Sequence, residues 1–142
     1  ILQYRFIDVD ALLEQKEELR IPEILAKYGE KHFLKLEEKA VFSLNLRDNC
    51  IISPGGSIVY AEQAMMFLKS NSIVIFLDVP LNLIEKRLKG APRGIVGLSG
   101  KSLEKLYFER QTLYQKYADV ALKISENSDS DSVVREVLMI LK

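Results

Sequence analysis

Asp8 and Asp10 stand two residues apart at the end of the strand-like run Tyr4-Arg5-Phe6-Ile7-Asp8-Val9-Asp10. On a strand, residues i and i+2 project to one face, so two carboxylates there repel unless a cation or donor lies between them. Such a pair suits a magnesium neighbourhood and a base that orients a hydroxyl. The plainer alternative is a helix N-cap at Asp10 and a turn residue at Asp8. Further on, Ser53-Pro54-Gly55-Gly56-Ser57 offers backbone that can approach a ligand with no Cβ in the way, flanked by two hydroxyls. The same residues also serve as an ordinary strand-to-helix turn.

Arg110 lies on or beside the apolar face formed by Leu103, Leu106, Tyr107, Leu113, Tyr114 and Tyr117, and a buried guanidinium requires an anionic partner. Glu37 poses the mirror problem on the Phe33, Leu36, Ala40 and Leu44 face of an earlier helix. The two are expected to pair, with Arg110's other donors facing an anionic substrate. A purely structural ion pair is the alternative. Arg93 sits in a glycine-rich stretch and suits either a mobile cation closing over a phosphate or a solvated loop side chain.

These groups need a scaffold, and the hydrophobic pattern supplies one. Strands are expected at Tyr4 to Asp10, Cys50 to Ser53, Ile73 to Val79 and Val120 to Ile124. Helices are expected over residues 11–18, 21–28, about 30–46, about 61–69, 81–88, 103–117 and 133–141. Pro22 and Pro80 suit helix starts, Gly29 a helix stop and Ser102 an N-cap. Residues 89–101 have no periodicity and carry Gly90, Pro92, Gly94, Gly97 and Gly100, the composition of a hinged lid. Strands alternating with helices predict an α/β fold, a three-layer, doubly wound parallel sheet in one domain over residues 1–142, with ligands at the carboxyl ends of the strands.

Composition excludes other classes. The 142 residues hold 20 basic and 20 acidic side chains, so no basic field points to nucleic acid or an anionic membrane. One cysteine builds neither a disulfide framework nor a zinc cluster, and a cytoplasmic setting is expected. The longest apolar stretch, Ile73 to Pro80, contains Asp78 and is far short of the roughly 20 residues that span a bilayer. No signal peptide is recognised.

Taken in order and spacing, the motifs resemble the shikimate kinase family, P-loop phosphotransferases of the nucleoside-monophosphate-kinase type. Phe6-Ile7-Asp8-Val9-Asp10 looks like the family's paired-aspartate strand end. Gly29-Glu30-Lys31-His32-Phe33 with Leu36-Glu37 looks like its substrate helix, within a substrate-binding region of about residues 11–46. Ser53-Pro54-Gly55-Gly56-Ser57 is similar to the glycine triplet, Arg93 to the lid arginine, and Glu109-Arg110-Gln111-Thr112-Leu113-Tyr114 to the late arginine motif. The resemblance implies ATP- and Mg2+-dependent phosphoryl transfer to a small, hydroxylated and carboxylated acceptor, shikimate first. It implies that Asp10 orients and deprotonates the acceptor hydroxyl, with Asp8 and Ser53 near Mg2+. Gly55, Gly56, Ser57 and Glu37 would line the acceptor, Arg110 would hold its carboxylate, Arg93 would neutralise the transferring phosphoryl group, and Arg87 would stack on adenine.

Three features depart from the pattern. Leu34 replaces an arginine that contacts the acceptor carboxylate, Ser57 replaces the last glycine of the triplet, and the lid reads Arg93-Gly94-Ile95-Val96 instead of Arg-Pro-Leu-Leu. A lost charged hydrogen bond removes about 1.5–3 kcal/mol, roughly one to two decades of affinity, so a different polyol or hydroxy acid stays open as acceptor. No Gly-x-x-x-x-Gly-Lys-Ser/Thr loop occurs in the 142 residues. Since a sheet lacking its central strand exposes inner edges, a strand, P-loop and part of a helix are expected ahead of Ile1. A kinase-like binding or regulatory protein without turnover is the other open reading.

Overall fold

The computed structural model describes residues 3–47, 49–89 and 94–141. Along them run β1 (Arg5–Asp8), α1 (Val9–Glu17), α2 (Ile21–Tyr28), α3 (Glu30–Phe42) and β2 (Cys50–Ser53). A 3-10 helix (Gly56–Tyr60), α4 (Glu62–Asn71), β3 (Ile75–Asp78), α5 (Leu81–Leu88), α6 (Leu103–Tyr117), β4 (Val120–Lys123) and α7 (Ser130–Ile140) follow.

Local chemistry sets the helix starts. Asp8 caps α1, its Oδ1 accepting from the Ala11 amide at 3.2 Å. Ser102 caps α6 by accepting from the Lys105 amide at 3.1 Å, and Asp129 caps α7 through the Ser132 amide at 2.7 Å. Each satisfies an amide with no partner inside its helix. Gly29, at φ +79°, makes the left-handed corner between α2 and α3, a conformation that costs other residues strain.

The parallel α/β architecture agrees with the sequence, and helices connect the strands of each pair. β1 pairs with β2 in the register Arg5↔Cys50 to Asp8↔Ser53, and β3 with β4 in the register Ile75↔Val120 to Asp78↔Lys123. The pairs form two separate sheets rather than one continuous sheet. β2 and β3, each hydrogen-bonded on one side only, both line a cavity of about 1080 Å³. That cavity also reaches Asp10, Gly55, Ser57 and Arg110.

Several boundaries move. The first strand ends at Asp8, and α1 begins at Val9, because the Asp8 cap diverts the chain before the apolar alternation ends. α3 stops at Phe42, where the Ser43 hydroxyl donates to the Ala40 carbonyl at 2.7 Å. Leu44 and Leu46 therefore lie beyond the helix. The segment Gly56–Tyr60 is a 3-10 helix, where only a turn and the following helix were expected.

Two apolar clusters hold the site in place. Val9, Leu13, Ile24, Phe33 and Val96 pack between α1, α2, α3 and residue 96. Val41, Ile58, Val59, Ala64, Met65, Leu68 and Tyr117 pack α3, the 3-10 helix, α4 and α6 together. At about 25 cal/mol per Å² of apolar surface removed from water, such burial is the main force fixing these elements. No helix among the described residues is long and apolar enough to cross a membrane.

Candidate active site

The carboxyl ends of β1 and β2 bring Asp8 and Ser53 side by side as register partners. The expectation that Asp8 and Asp10 share a strand face is not met. Asp8 is the N-cap of α1 and Asp10 lies in its first turn, because the helix begins between them. The cap is therefore Asp8, not Asp10. As a first-turn carboxylate, Asp10 is favoured by the positive end of the helix dipole.

From there Asp10 reaches the Gly55-Gly56-Ser57 turn. A Cβ on Gly55 would stand 2.9 Å from both Asp10 Oδ1 and Glu37 Oε1, contacts too close for any side chain. On Gly56 it would stand 2.9 Å from the Tyr114 hydroxyl and 3.2 Å from Arg110 Nη1. The turn is thus threaded between two carboxyl groups on one side and a phenol and guanidinium on the other. A side chain at either position would have to push these tips aside.

Glu37, on α3, is 1% exposed. Its Oε2 accepts from Ser57 Oγ at 2.6 Å, while Oε1 makes no hydrogen bond among the described residues. Burial, with a smaller contribution from Asp10, pushes its carboxyl up to about 7, against the opposing pull of the Ser57 hydroxyl and Arg110.

Glu37 and Arg110 do not form the expected ion pair; Glu37 takes Ser57 as its partner. Arg110 donates from Nη2 to the Val96 carbonyl at 2.8 Å, and its Nε is buried with no partner among the described residues. Arg110 still lies close enough to oppose the rise in the Glu37 carboxyl's pKa, without a bridge between them. Arg110 also lies over the Tyr60 ring, 5.6 Å from its centroid.

The periodicity of α6 marked Tyr114 only as apolar. Its hydroxyl donates to the Gly56 carbonyl at 3.0 Å, and burial holds its phenol above the ordinary value. Tyr60 likewise donates to Glu109 at 2.7 Å. A tyrosine's polar tip at the inner end of an apolar helix face is the signal that could have marked them.

Arg93 lies outside the described residues. The described part of the glycine-rich stretch is docked: Val96 is buried with Phe33, and the Gly97 amide donates to Glu30 at 2.8 Å. Gly94 packs where a Cβ would meet Leu25 Cδ1 at 2.6 Å. Arg87 is exposed on α5. Leu34, where an acceptor-binding arginine would stand, packs against the Phe33 cluster. Among the described residues no group of three or more His, Cys, Asp or Glu side chains could hold a metal.

Comparisons with known proteins bear on the family and the fold. A family profile described as "Shikimate kinase" matches residues 1–142. The shikimate kinase of Aquifex aeolicus is 33% identical over 142 residues, 99% of this chain and 83% of that protein. The Sulfurihydrogenibium enzyme is 30% identical over 142 residues, 99% of this chain and 84% of its own. Among solved structures, the A. aeolicus shikimate kinase superposes with a TM-score of 0.78 at 33% identity, over 99% of this chain and 81% of that one. The Acinetobacter baumannii shikimate kinase in complex with shikimate gives 0.81 at 27% identity, over 97% and 78%. The chain belongs to the shikimate kinase family, phosphotransferases that act on a hydroxyl group.

Proposed function

We propose that these residues form the acceptor-binding part of an ATP- and Mg2+-dependent shikimate kinase. The observation that carries this reading is the convergence of Asp10, Glu37 and Arg110 on the bare backbone of Gly55 and Gly56. It sets a base and a cation in one cavity, the pair that a hydroxylated carboxylic acid requires.

Arg110 binds the acceptor carboxylate through donors not spent on Val96, and does so without the arginine that Leu34 replaces. Asp10 accepts the proton of the reacting hydroxyl as that oxygen attacks phosphorus, and holds it in line. Gly55 and Gly56 let the acceptor ring lie flat against the turn. Ser57 lines the same wall and donates its hydroxyl to Glu37.

The donor set at the strand ends fits Mg2+, which takes one or two carboxylates and completes its shell with water and phosphate oxygens. Asp8, through the oxygen not capping α1, and the Ser53 hydroxyl across the register are the residues that would hold it. Bound there, the ion supplies charge neutralisation for phosphoryl transfer. Arg87 offers an exposed guanidinium plane for a purine base. The 142 residues contain no phosphate-cradling glycine–lysine loop, so no step is assigned to them at the triphosphate.

An acceptor screen on the native polypeptide tests this reading: ADP release with ATP, Mg2+ and, in turn, shikimate, gluconate and a nucleoside monophosphate. Turnover with shikimate far above the others is expected. Turnover confined to another acceptor, or none with any, would overturn it.

A further inference from the structure

The peptide group between Val96 and Gly97 is held from both ends. Its carbonyl accepts from Arg110 Nη2 on α6 at 2.8 Å, and its N–H donates to Glu30 Oε1, at the start of α3, also at 2.8 Å. It is the central peptide of a β-turn over residues 95–98, closed by the Leu98 amide on the Ile95 carbonyl at 3.3 Å. Gly97 has φ +80°, with no positive φ at Val96, the signature of a type II turn. Type I and type II turns differ by rotation of that central peptide through about 180°, which sends its carbonyl and its N–H to opposite sides. Glycine adopts either form at little cost. Local chemistry therefore leaves the orientation of the peptide open, and the two tertiary hydrogen bonds decide it.

The orientation matters at Arg110, which lines the acceptor cavity. With Nη2 on Val96, Nη1 lies at the glycine turn, 3.2 Å from where a Cβ on Gly56 would stand. A guanidinium takes a carboxylate as a planar fork, so its plane has to be fixed as well as its position. Tyr60 supports one face, and is itself anchored by donating to Glu109, which also accepts from Lys101. A flipped Val96–Gly97 peptide would turn its N–H toward a side chain that has only donors, and Arg110 would lose the acceptor that sets its plane.

We propose that Glu30 is a positioning residue for acceptor binding: by accepting the Gly97 amide it keeps the Val96 carbonyl turned to Arg110, and through that single peptide it orients the guanidinium that takes the acceptor carboxylate. The proposal rests on the assignment of that carboxylate to Arg110 above. Glu30 is not among the described residues that line the cavity, so its effect passes through the turn.

Two measurements on the native polypeptide test this. The first needs no ligand: hydrogen exchange of the Gly97 amide is followed by NMR. Exchange should be about tenfold or more faster in Glu30→Ala and near wild type in Glu30→Gln, whose amide oxygen still accepts. Unchanged protection in Glu30→Ala would overturn the pairing. The second is steady-state kinetics of Glu30→Ala, Glu30→Gln, Arg110→Ala and the double variant Glu30→Ala with Arg110→Ala. Glu30→Ala should raise the shikimate KM about tenfold with little change in kcat, and Glu30→Gln should restore most of it. Added to Arg110→Ala, Glu30→Ala should raise KM no further, since the side chain it acts through is gone. An unchanged KM in Glu30→Ala, or a loss that persists in full without Arg110, would overturn the proposal while Arg110→Ala still weakens shikimate. An unchanged KM in Arg110→Ala would overturn the carboxylate assignment and the proposal together. Should Glu30→Ala fail to fold, Glu30→Ser, too short to reach Gly97, takes its place in both measurements.

Discussion

Arg110 donates to the carbonyl of Val96 at 2.8 Å, and the Val96 side chain is buried beside Phe33 of α3. One guanidinium therefore ties α6, the C-terminal part of the glycine-rich segment and the acceptor cavity together. An acceptor carboxylate on its remaining donors would bind a group already held by Val96.

Replacing Arg110 with Ala should raise the shikimate KM by about one to two decades, the loss of roughly 1.5–3 kcal/mol in charge-assisted hydrogen bonds, with a smaller change in kcat. Arg110→Lys should restore little, because a point charge cannot reproduce the planar fork. Steady-state kinetics on the native polypeptide checks this, and an unchanged KM in a folded variant would remove Arg110 from the site.

Asp10→Asn keeps the size of the side chain and removes its basicity. If Asp10 accepts the hydroxyl proton, kcat should fall about 10²-fold or more while shikimate affinity changes little. A near-wild-type rate would show that Asp10 does not act as base.

The Gly55 backbone leaves no room for a methyl group, which would stand 2.9 Å from two carboxyl oxygens. Gly55→Ala should therefore displace Asp10 or Glu37 and weaken shikimate binding by about tenfold or more, measured by calorimetry. A variant that binds as tightly as the wild type would show that these oxygens do not define the acceptor wall.

Glu37 carries a pH signature. Its carboxyl titrates at about 7 in the fold, raised mainly by burial from an ordinary value of 4.5. Between those values the unfolded chain has lost the proton that the folded chain keeps, so stability falls as pH rises from 4.5 through 7 and then levels off. The decline from this group amounts to about 3 kcal/mol. Glu37→Gln, which cannot ionise, should lose that component of the slope and be relatively more stable at pH 8 than at pH 5. Parallel urea-unfolding profiles for both proteins across this range would contradict the buried, proton-retaining Glu37.

Much of the scaffold is legible in the sequence where one local signal is decisive. Cys50–Ser53, Ile21–Tyr28 and Leu81–Leu88 have the expected bounds because apolar runs end at Pro, Gly or a cap. Ile7 to Asp10 misleads: apolar and acidic residues alternate with a period of two, and only the Asp8 cap, a three-dimensional hydrogen bond, shows where the helix begins. The 3-10 helix at Gly56–Tyr60 is too short to display a period. The site residues are legible as types, since buried Glu37 and half-buried Arg110 violate the apolar pattern of their helices. Their partners are not, because periodicity gives the face of a helix and not what another loop places against it. Ser57 and Val96 come from elements distant in sequence from Glu37 and Arg110.

The most direct test of the acceptor site is a crystal structure of the native polypeptide with shikimate bound. The account predicts the carboxylate of shikimate on Arg110, a ring hydroxyl within hydrogen-bond distance of Asp10, and the ring against Gly55 and Gly56. Shikimate seated elsewhere, or with its carboxylate turned away from Arg110 and its hydroxyls away from Asp10, would contradict it.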